Sequence, residues 1–246
     1  MDEAADDETE PIDAAPVRRR RWPYRIGLAV VLLLAVALLV RFVWLPSYRP
    51  ALEAGERYGI DVSNHQGRID WERVAADDIE FAYIKATEGG DFVDRSFERN
   101  WERADAVGID RGAYHFFTLC KPGAEQAENF LRTVPSDPEL PPAIDLELGG
   151  NCAARPDQAW IDREIGAFLA DVEEATGERV LLYIGPEFEA VYPIKEGLDD
   201  RPVWHRRLVL RPEGEGWWVW QFQSVADVAG IDGPVDLNVM RGTEPR

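Results

Sequence analysis

Two hydrophobic patterns divide this chain. The first is continuous: no residue from Ile26 to Val40 is charged, and past Arg41 the apolar run resumes through Phe42-Val43-Trp44-Leu45. The fifteen residues 26–40 rise only about 22 Å as a helix, short of a ~30 Å hydrocarbon core; counting on to Leu45 suffices if Arg41 snorkels to the interface. The second pattern is short and repeated. Apolar runs of strand length recur at 57–63, 80–86, 112–117, 142–147, 179–184, 202–205, 217–222 and 234–239, and helical periodicity is clearest at 95–108, 123–133 and 157–175. In the last helix Ile161, Ile165, Phe168, Leu169 and Val172 form an apolar stripe, with Gly177 as the stop. Strands alternating with helices predict an α/β domain with a mainly parallel sheet, and eight strands with so few helices between them predict a compact, helix-poor β/α barrel.

Charge sharpens this division. Residues 1–50 hold seven acids (Asp2, Glu3, Asp6, Asp7, Glu8, Glu10, Asp13) and seven arginines (Arg18, Arg19, Arg20, Arg21, Arg25, Arg41, Arg49), so the whole net charge of -19 belongs to residues 51–246. Such an acidic domain lacks the basic face that nucleic-acid binding needs, and no nucleic-acid partner is expected. Residues 1–24 read as a disordered acidic stretch followed by an arginine-rich cytoplasmic tail, 25–45 as a transmembrane signal-anchor helix, 46–56 as a linker and 57–242 as the folded domain. The arginine block sets the orientation, N-terminus in the cytoplasm and domain outside, and Trp22, Tyr24 and Trp44 fall where interfacial aromatics lie. The alternative is secretion after signal cleavage, with Ala35-Val36-Ala37 as a small-x-small site; the long n-region and the apolar residues beyond Ala37 favour the anchor. Export places Cys120 and Cys152 in an oxidising compartment. If the strands they follow are neighbours, a disulfide between them is expected; two unpaired small side chains are the alternative.

Three strand-like runs carry an acid between aliphatic residues: Gly59-Ile60-Asp61-Val62, Ala143-Ile144-Asp145-Leu146-Glu147 and Val235-Asp236-Leu237. Alternation turns Ile144 and Leu146 outward and Asp145 and Glu147 inward, and treats Asp61 and Asp236 in the same way. A buried carboxylate is costly unless it is paired or used. Acids gathered from separate strands at the C-terminal mouths of a barrel form a pocket able to cut glycosidic bonds. The bland readings are solvated strand acids for Asp145 and Glu147, and pairing with Lys85 or turn capping for Asp61 and Asp236.

The segments GIDVSNHQGRIDW, FAYIKATEGGDFVD, GAYHFF, PPAIDLE, LLYIG, WQF and GIDGPVDLN, in this order over roughly residues 57–241, resemble glycoside hydrolase family 25, the Chalaropsis-type lysozymes or N-acetylmuramidases. The resemblance implies an irregular TIM-like β/α barrel of eight strands with reduced helices. It also implies retaining hydrolysis of the β-1,4 bond between N-acetylmuramic acid and N-acetylglucosamine in peptidoglycan glycan strands, without a cofactor. The family's DxE pair falls on Asp145 and Glu147, with Glu147 as general acid/base and Asp145 orienting the acetamido group or stabilising positive charge; its other two acids fall on Asp61 and Asp236. Two departures stand out: a Trp-x-Ala-x-Tyr-like segment is replaced by Trp204-His205-Arg206-Arg207, which changes the expected sugar contacts on that side, and the stretch between Gly185 and Val203 is short, which is expected to open the cleft.

Around these acids, Tyr114, Tyr183, Lys85, Glu88, His115, Trp204 and Gln221 are candidates for substrate binding. The tyrosines are equally explained as core residues with satisfied hydroxyls, His115 as a hydrogen-bonded core histidine, and Lys85 and Glu88 as an ion pair beside the pocket. Trp217, Trp218 and Trp220 offer a stacking face or a sugar platform. Three scattered histidines and two exported cysteines show no metal-ligand spacing. A non-catalytic, membrane-tethered wall-binding module and a hydrolase of chitin-like polymers are the competing functions.

Overall fold

The computed structural model describes residues 22–150, 152–194, 198, 201–214 and 216–242. The acidic and arginine-rich segment 1–21 therefore lies outside the described residues, as do 195–197 and 199–200 of the shortened stretch. The chain divides into two units, residues 1–42 and 43–246. In the first, helix α1 (Trp22–Leu39) carries exposed apolar side chains along its length. A π-helical turn (Val40–Trp44) and α2 (Leu45–Ser47) follow, and Arg25–Ser47 is one helical stretch long and apolar enough to cross a membrane.

The second unit contains β1 (Arg57–Val62), a 3₁₀ turn (Asn64–Gln66), α3 (Trp71–Ala75), β2 (Ile79–Glu88), β3 (Phe92–Val93), α4 (Phe97–Ala106), β4 (Asp110–Phe116), α5 (Gly123–Thr133), β5 (Ala143–Leu146), α6 (Gln158–Thr176), β6 (Leu181–Ile184), α7 (Pro186–Val191), β7 (Val203–Arg206), β8 (Val219–Ala226) and β9 (Val235–Met240). All eight strands expected from the sequence form, and they close: the order β1-β9-β8-β7-β6-β5-β4-β2 returns to β1 through a β1–β2 pairing, with β3 added at the edge. Helix α6 follows from its sequence. Asp157 accepts from the Trp160 N–H at 2.9 Å, the five-residue apolar stripe is buried, and Gly177 ends the helix in the left-handed conformation at φ 75°.

The barrel has two cores. Outward residues such as Ile60, Ile84, Ile144, Leu182, Trp220 and Phe222 pack with the helices, which supply Phe130, Ile165 and Phe168. Inward residues, including Phe81, Tyr83, Leu181, Trp204, Trp218 and Met240, fill the lumen. Gly59 and Gly112 make that filling possible: a Cβ would stand 2.4 Å from the Phe81 ring and 2.3 Å from the Tyr83 ring. The lumen is thus plugged, and a substrate site can open only at its mouth.

Within the closed barrel the pairings are parallel except around β9, which runs antiparallel to both β1 and β8; the short edge strand β3 is antiparallel to β2. This corrects the placement of Asp236 at the C-terminal end of a strand: it lies near the start of β9, opposite Asp61. Only residues 227–234 separate β8 from β9, too few for the crossover of a dozen or more that a parallel neighbour requires.

The stretch 46–56, expected as a linker, is fastened to the barrel. The Asp227 N–H donates to the Pro46 carbonyl at 2.9 Å, Tyr48 meets the edge of the Phe222 ring at 6.3 Å, and Arg49 pairs with Asp77 at 2.7 Å. Tyr58 donates to the Pro50 carbonyl, and Arg211 pairs with Glu56 at 2.5 Å. Its aromatic and charged side chains have found partners on the domain.

Cys120 and Cys152 form a disulfide with Cα atoms 5.8 Å apart, joining the loops that follow β4 and β5 at the mouth. The bridge spans 32 residues of sequence, for which loop-closure entropy gives about 4 kcal/mol. Cys152→Ser is expected to lower the melting temperature by several degrees under oxidising conditions. Calorimetry with and without a reductant checks this: the wild type should respond to the reductant and the variant should not.

Candidate active site

Strand alternation and barrel closure bring the four acids to one place. Asp61, Asp145, Glu147 and Asp236 line a single cleft of about 410 Å³ at the barrel mouth, together with Lys85, Tyr114, Tyr183, Trp204 and Gln221. Asp61 and Asp236 face each other across the β1–β9 ladder, while Asp145 stands beside Tyr183 in the β5–β6 register. Glu147 lies one residue past β5. Behind it is Gly185, where a Cβ would sit 3.2 Å from the Glu147 Cγ.

Hydrogen bonds fix these groups. The Tyr183 hydroxyl donates to Glu147 Oε1 at 3.2 Å, and Arg206 Nη1 lies 3.5 Å from the same oxygen. Asn238 donates to Asp61 Oδ2 at 2.8 Å while its own carbonyl accepts the Trp204 indole N–H at 2.9 Å. The Trp204 ring packs on Tyr83 and Tyr183, with centroids 4.9 and 5.4 Å away, and is 3% exposed, so it forms the floor of the cleft. At the rim, Ser63 and Gln66 cap the 3₁₀ turn reciprocally, and Asp94 accepts from the Asn64 backbone and side chain at 2.8 Å. Among the described residues, two of the buried oxygens without a hydrogen-bond partner belong to residues lining the cleft, Asp145 Oδ1 and Gln221 Oε1.

Burial and crowding keep this cluster from ionising fully. Asp61 is held well above the usual carboxylate range by burial and then by Asp236, against the Asn238 hydrogen bond. Asp145 is likewise raised by burial and then by Glu147, with Lys85 opposing. Asp236 is raised to about 6, chiefly by burial, while the Gln221 hydrogen bond and Arg206 pull it down. The phenols of Tyr114 and Tyr183 are raised as well, first by burial and then by these carboxylates. Such a pocket retains protons near neutral pH, which acid catalysis requires, and its remaining charge suits a cationic transition state.

This arrangement has a consequence for stability. A native pKa of about 6 against an unfolded value near 4 means that Asp236 binds its proton more tightly when folded. Stability from this group is therefore fullest below pH 4 and is lost as pH rises through 6. Asp236→Asn is expected to be more stable than the wild type by about 3 kcal/mol at pH 7, a gain that vanishes below pH 4. Thermal unfolding of both proteins across that range checks it; a variant less stable at pH 7 contradicts it.

Two candidates stand outside the cleft. His115 is fully buried on the outward face of β4, its ring stacked on Phe168 at 4.9 Å, Nδ1 2.7 Å from Thr87 Oγ1 and Nε2 3.1 Å from Gln126 Oε1. Burial lowers its pKa to about 4, and it is a core histidine. Glu88 is also buried; it pairs with Lys85 at 2.7 Å from behind the cleft wall. None of Trp217, Trp218 and Trp220 lines the cleft; each is packed in a core. Conversely, sequence reasoning passed over Arg206 and Asn238. Each stands two residues beyond a site residue on the same strand, Trp204 and Asp236, and the period of two places them on the same face.

The profile of Glycosyl hydrolases family 25 matches residues 60–231. The chain belongs to this family. Uncharacterized protein YegX of Escherichia coli (strain K12) is 38% identical over 195 residues, 76% of this chain and 70% of the relative. Lysozyme M1 of Streptomyces globisporus is 31% identical over 206 residues, 76% of this chain and 69% of that protein. Among solved structures, a family 25 glycosyl hydrolase from Bacillus anthracis superposes with a TM-score of 0.71 at 33% identity, covering 80% of this chain and 94% of its own. The family 25 domain is a glycoside hydrolase, and the residues lining the acidic cleft lie within the matched segment except for Asp236, which follows it.

Proposed function

We propose that this protein is a peptidoglycan hydrolase that cleaves the β-1,4 bond between N-acetylmuramic acid and N-acetylglucosamine with retention of configuration. The observation that carries this reading is the placement of Glu147, hydrogen-bonded by Tyr183 in a cleft it shares with Asp61, Asp145 and Asp236. Glu147 gives its proton to the glycosidic oxygen as the bond to the anomeric carbon breaks, and the leaving sugar departs as an alcohol. Positive charge then develops on the ring, where Asp145 stabilises it and its unpartnered oxygen accepts the acetamido N–H. Attack on the anomeric carbon comes from a carboxylate or from the substrate's own acetamido oxygen. Glu147 next takes a proton from the water that resolves the intermediate. Asp61 and Asp236 hold the polar floor, and Tyr114, Lys85 and Gln221 contact the sugar.

The relatives' names point the same way, since Lysozyme M1 and the autolytic lysozyme of Clostridium acetobutylicum are lysozymes by name. Release of soluble fragments from purified peptidoglycan, with chitin oligosaccharides assayed in parallel, tests the reading. Fragments from peptidoglycan alone are expected. Binding without release favours a wall-binding module, and preference for chitin favours the other hydrolase.

The helix Arg25–Ser47 is proposed to anchor residues 57–242 outside the membrane, with residues 1–24 in the cytoplasm, so that the enzyme remodels the organism's own wall. N-terminal sequencing of the membrane fraction tests the anchor; a chain beginning at Leu38 means cleavage and secretion instead. The remodelling role fails if the enzyme leaves the organism's own wall intact while it cleaves another polymer.

A further inference from the structure

Arg206 is the feature of the cleft that the acid chemistry does not explain. It projects from the end of β7 into a pocket lined by four carboxylic acids, with its side chain 31% exposed. Besides the Tyr183 hydroxyl, its contact is with Glu147, a single approach at 3.5 Å that is long for a charge-assisted hydrogen bond, while a guanidinium offers five donors in a planar fork. The other long-chain cation of the cleft is committed: Lys85 bonds Glu88 at 2.7 Å and rests on the Phe116 ring at 4.6 Å. A guanidinium that lines the cleft with its side chain 31% exposed has donors to offer an anion that the substrate brings.

The chemistry of that partner follows from charge and shape. The fork pairs best with a carboxylate, and a domain of this acidity repels an anionic glycan unless a local cation receives it. Glu147 must reach the oxygen it protonates, so the guanidinium lies within about 7 Å of the scissile bond, the span of one sugar ring. N-acetylmuramic acid carries a carboxyl on its lactyl ether. That carboxyl is an uncharged amide when a stem peptide is attached and a free anion when the peptide has been removed.

We infer that Arg206 is a specificity-determining residue that binds the free lactyl carboxylate of a peptide-stripped muramic acid, directing this enzyme to denuded glycan strands. The inference rests on the muramidase reading given above. The class of reaction that must precede it is hydrolysis of the lactyl–peptide amide bond, which creates the anion.

The test compares two substrates that differ only in that charge: denuded glycan strands, and the same strands with their lactyl carboxyls converted to methylamides. For the wild type, kcat/KM should favour the free acid by about tenfold or more, a preference that shrinks with added salt. In Arg206→Ala the ratio should fall to about one, and Arg206→Lys should restore part of it. If Arg206 serves only to hold Glu147, both substrates suffer equally and the ratio is unchanged; that result, or a wild type indifferent to the charge, overturns the inference. Wild-type inactivity on both strands instead overturns the hydrolase reading beneath it.

Discussion

Glu147→Gln is expected to lower kcat on peptidoglycan about a thousandfold or more while leaving the circular dichroism spectrum and melting temperature close to those of the wild type. The substitution keeps the shape of the side chain and its space over Gly185, and the amide oxygen still accepts from Tyr183. What it removes is the transferable proton, and with it both assistance to the leaving sugar and activation of water. KM should change little, because the glycan is held by the rest of the cleft. A loss below tenfold would mean that another group supplies the proton, with Asp145 first in line because burial and its neighbour Glu147 raise its pKa.

Asp145→Asn is the second large effect, expected to lower kcat about a hundredfold. Asp145 shares the inward face of the β5 run with Glu147, and its Oδ1 is buried without a partner among the described residues. An unpaired buried oxygen costs stability, so the native protein carries a site that substrate completes. The amide keeps the volume but can neither stabilise positive charge on the sugar nor present two acceptors to it. Two measurements separate this role from a structural one. The melting temperature at pH 7 should rise, as a raised carboxyl is removed, while kcat falls at nearly constant KM. A variant that melts lower and binds glycan poorly would make Asp145 a framework residue.

The parts of the molecule that were legible in the sequence are those governed by local periodicity. Helix α6 was readable because a stripe, an N-cap aspartate and a terminal glycine agree, and the Asp145–Glu147 pair because a period of two survives whatever the strand's neighbours do. Alternation is blind to direction, which is why Asp236 was expected at the wrong end of its strand. The brevity of residues 227–234 was the available signal for the reversal. Tyr114 and His115 are adjacent on β4, so only one of them could face the lumen; the structure gives the lumen to Tyr114 and the helix side to His115. Glu88 follows an irregularity between Lys85 and Thr87 that shifts the alternation, and no local pattern announces it. Helix α3, at five residues, is too short to show a period, and the fastening of residues 46–56 depends on partners as distant in sequence as Asp77 and Arg211. Arg206 was visible only as a departure from a family pattern, and its meaning required knowing that it enters the cleft.

The most direct test of the account is the identity and configuration of the sugar at the new reducing end when purified peptidoglycan is digested. Mass spectrometry after borohydride reduction, with proton NMR of the first-formed product, should show muramitol from N-acetylmuramic acid released initially as the β-anomer. Reduced glucosamine at the new ends, an initial α-anomer, or no new ends at all would contradict a retaining muramidase built on Glu147 and Asp145.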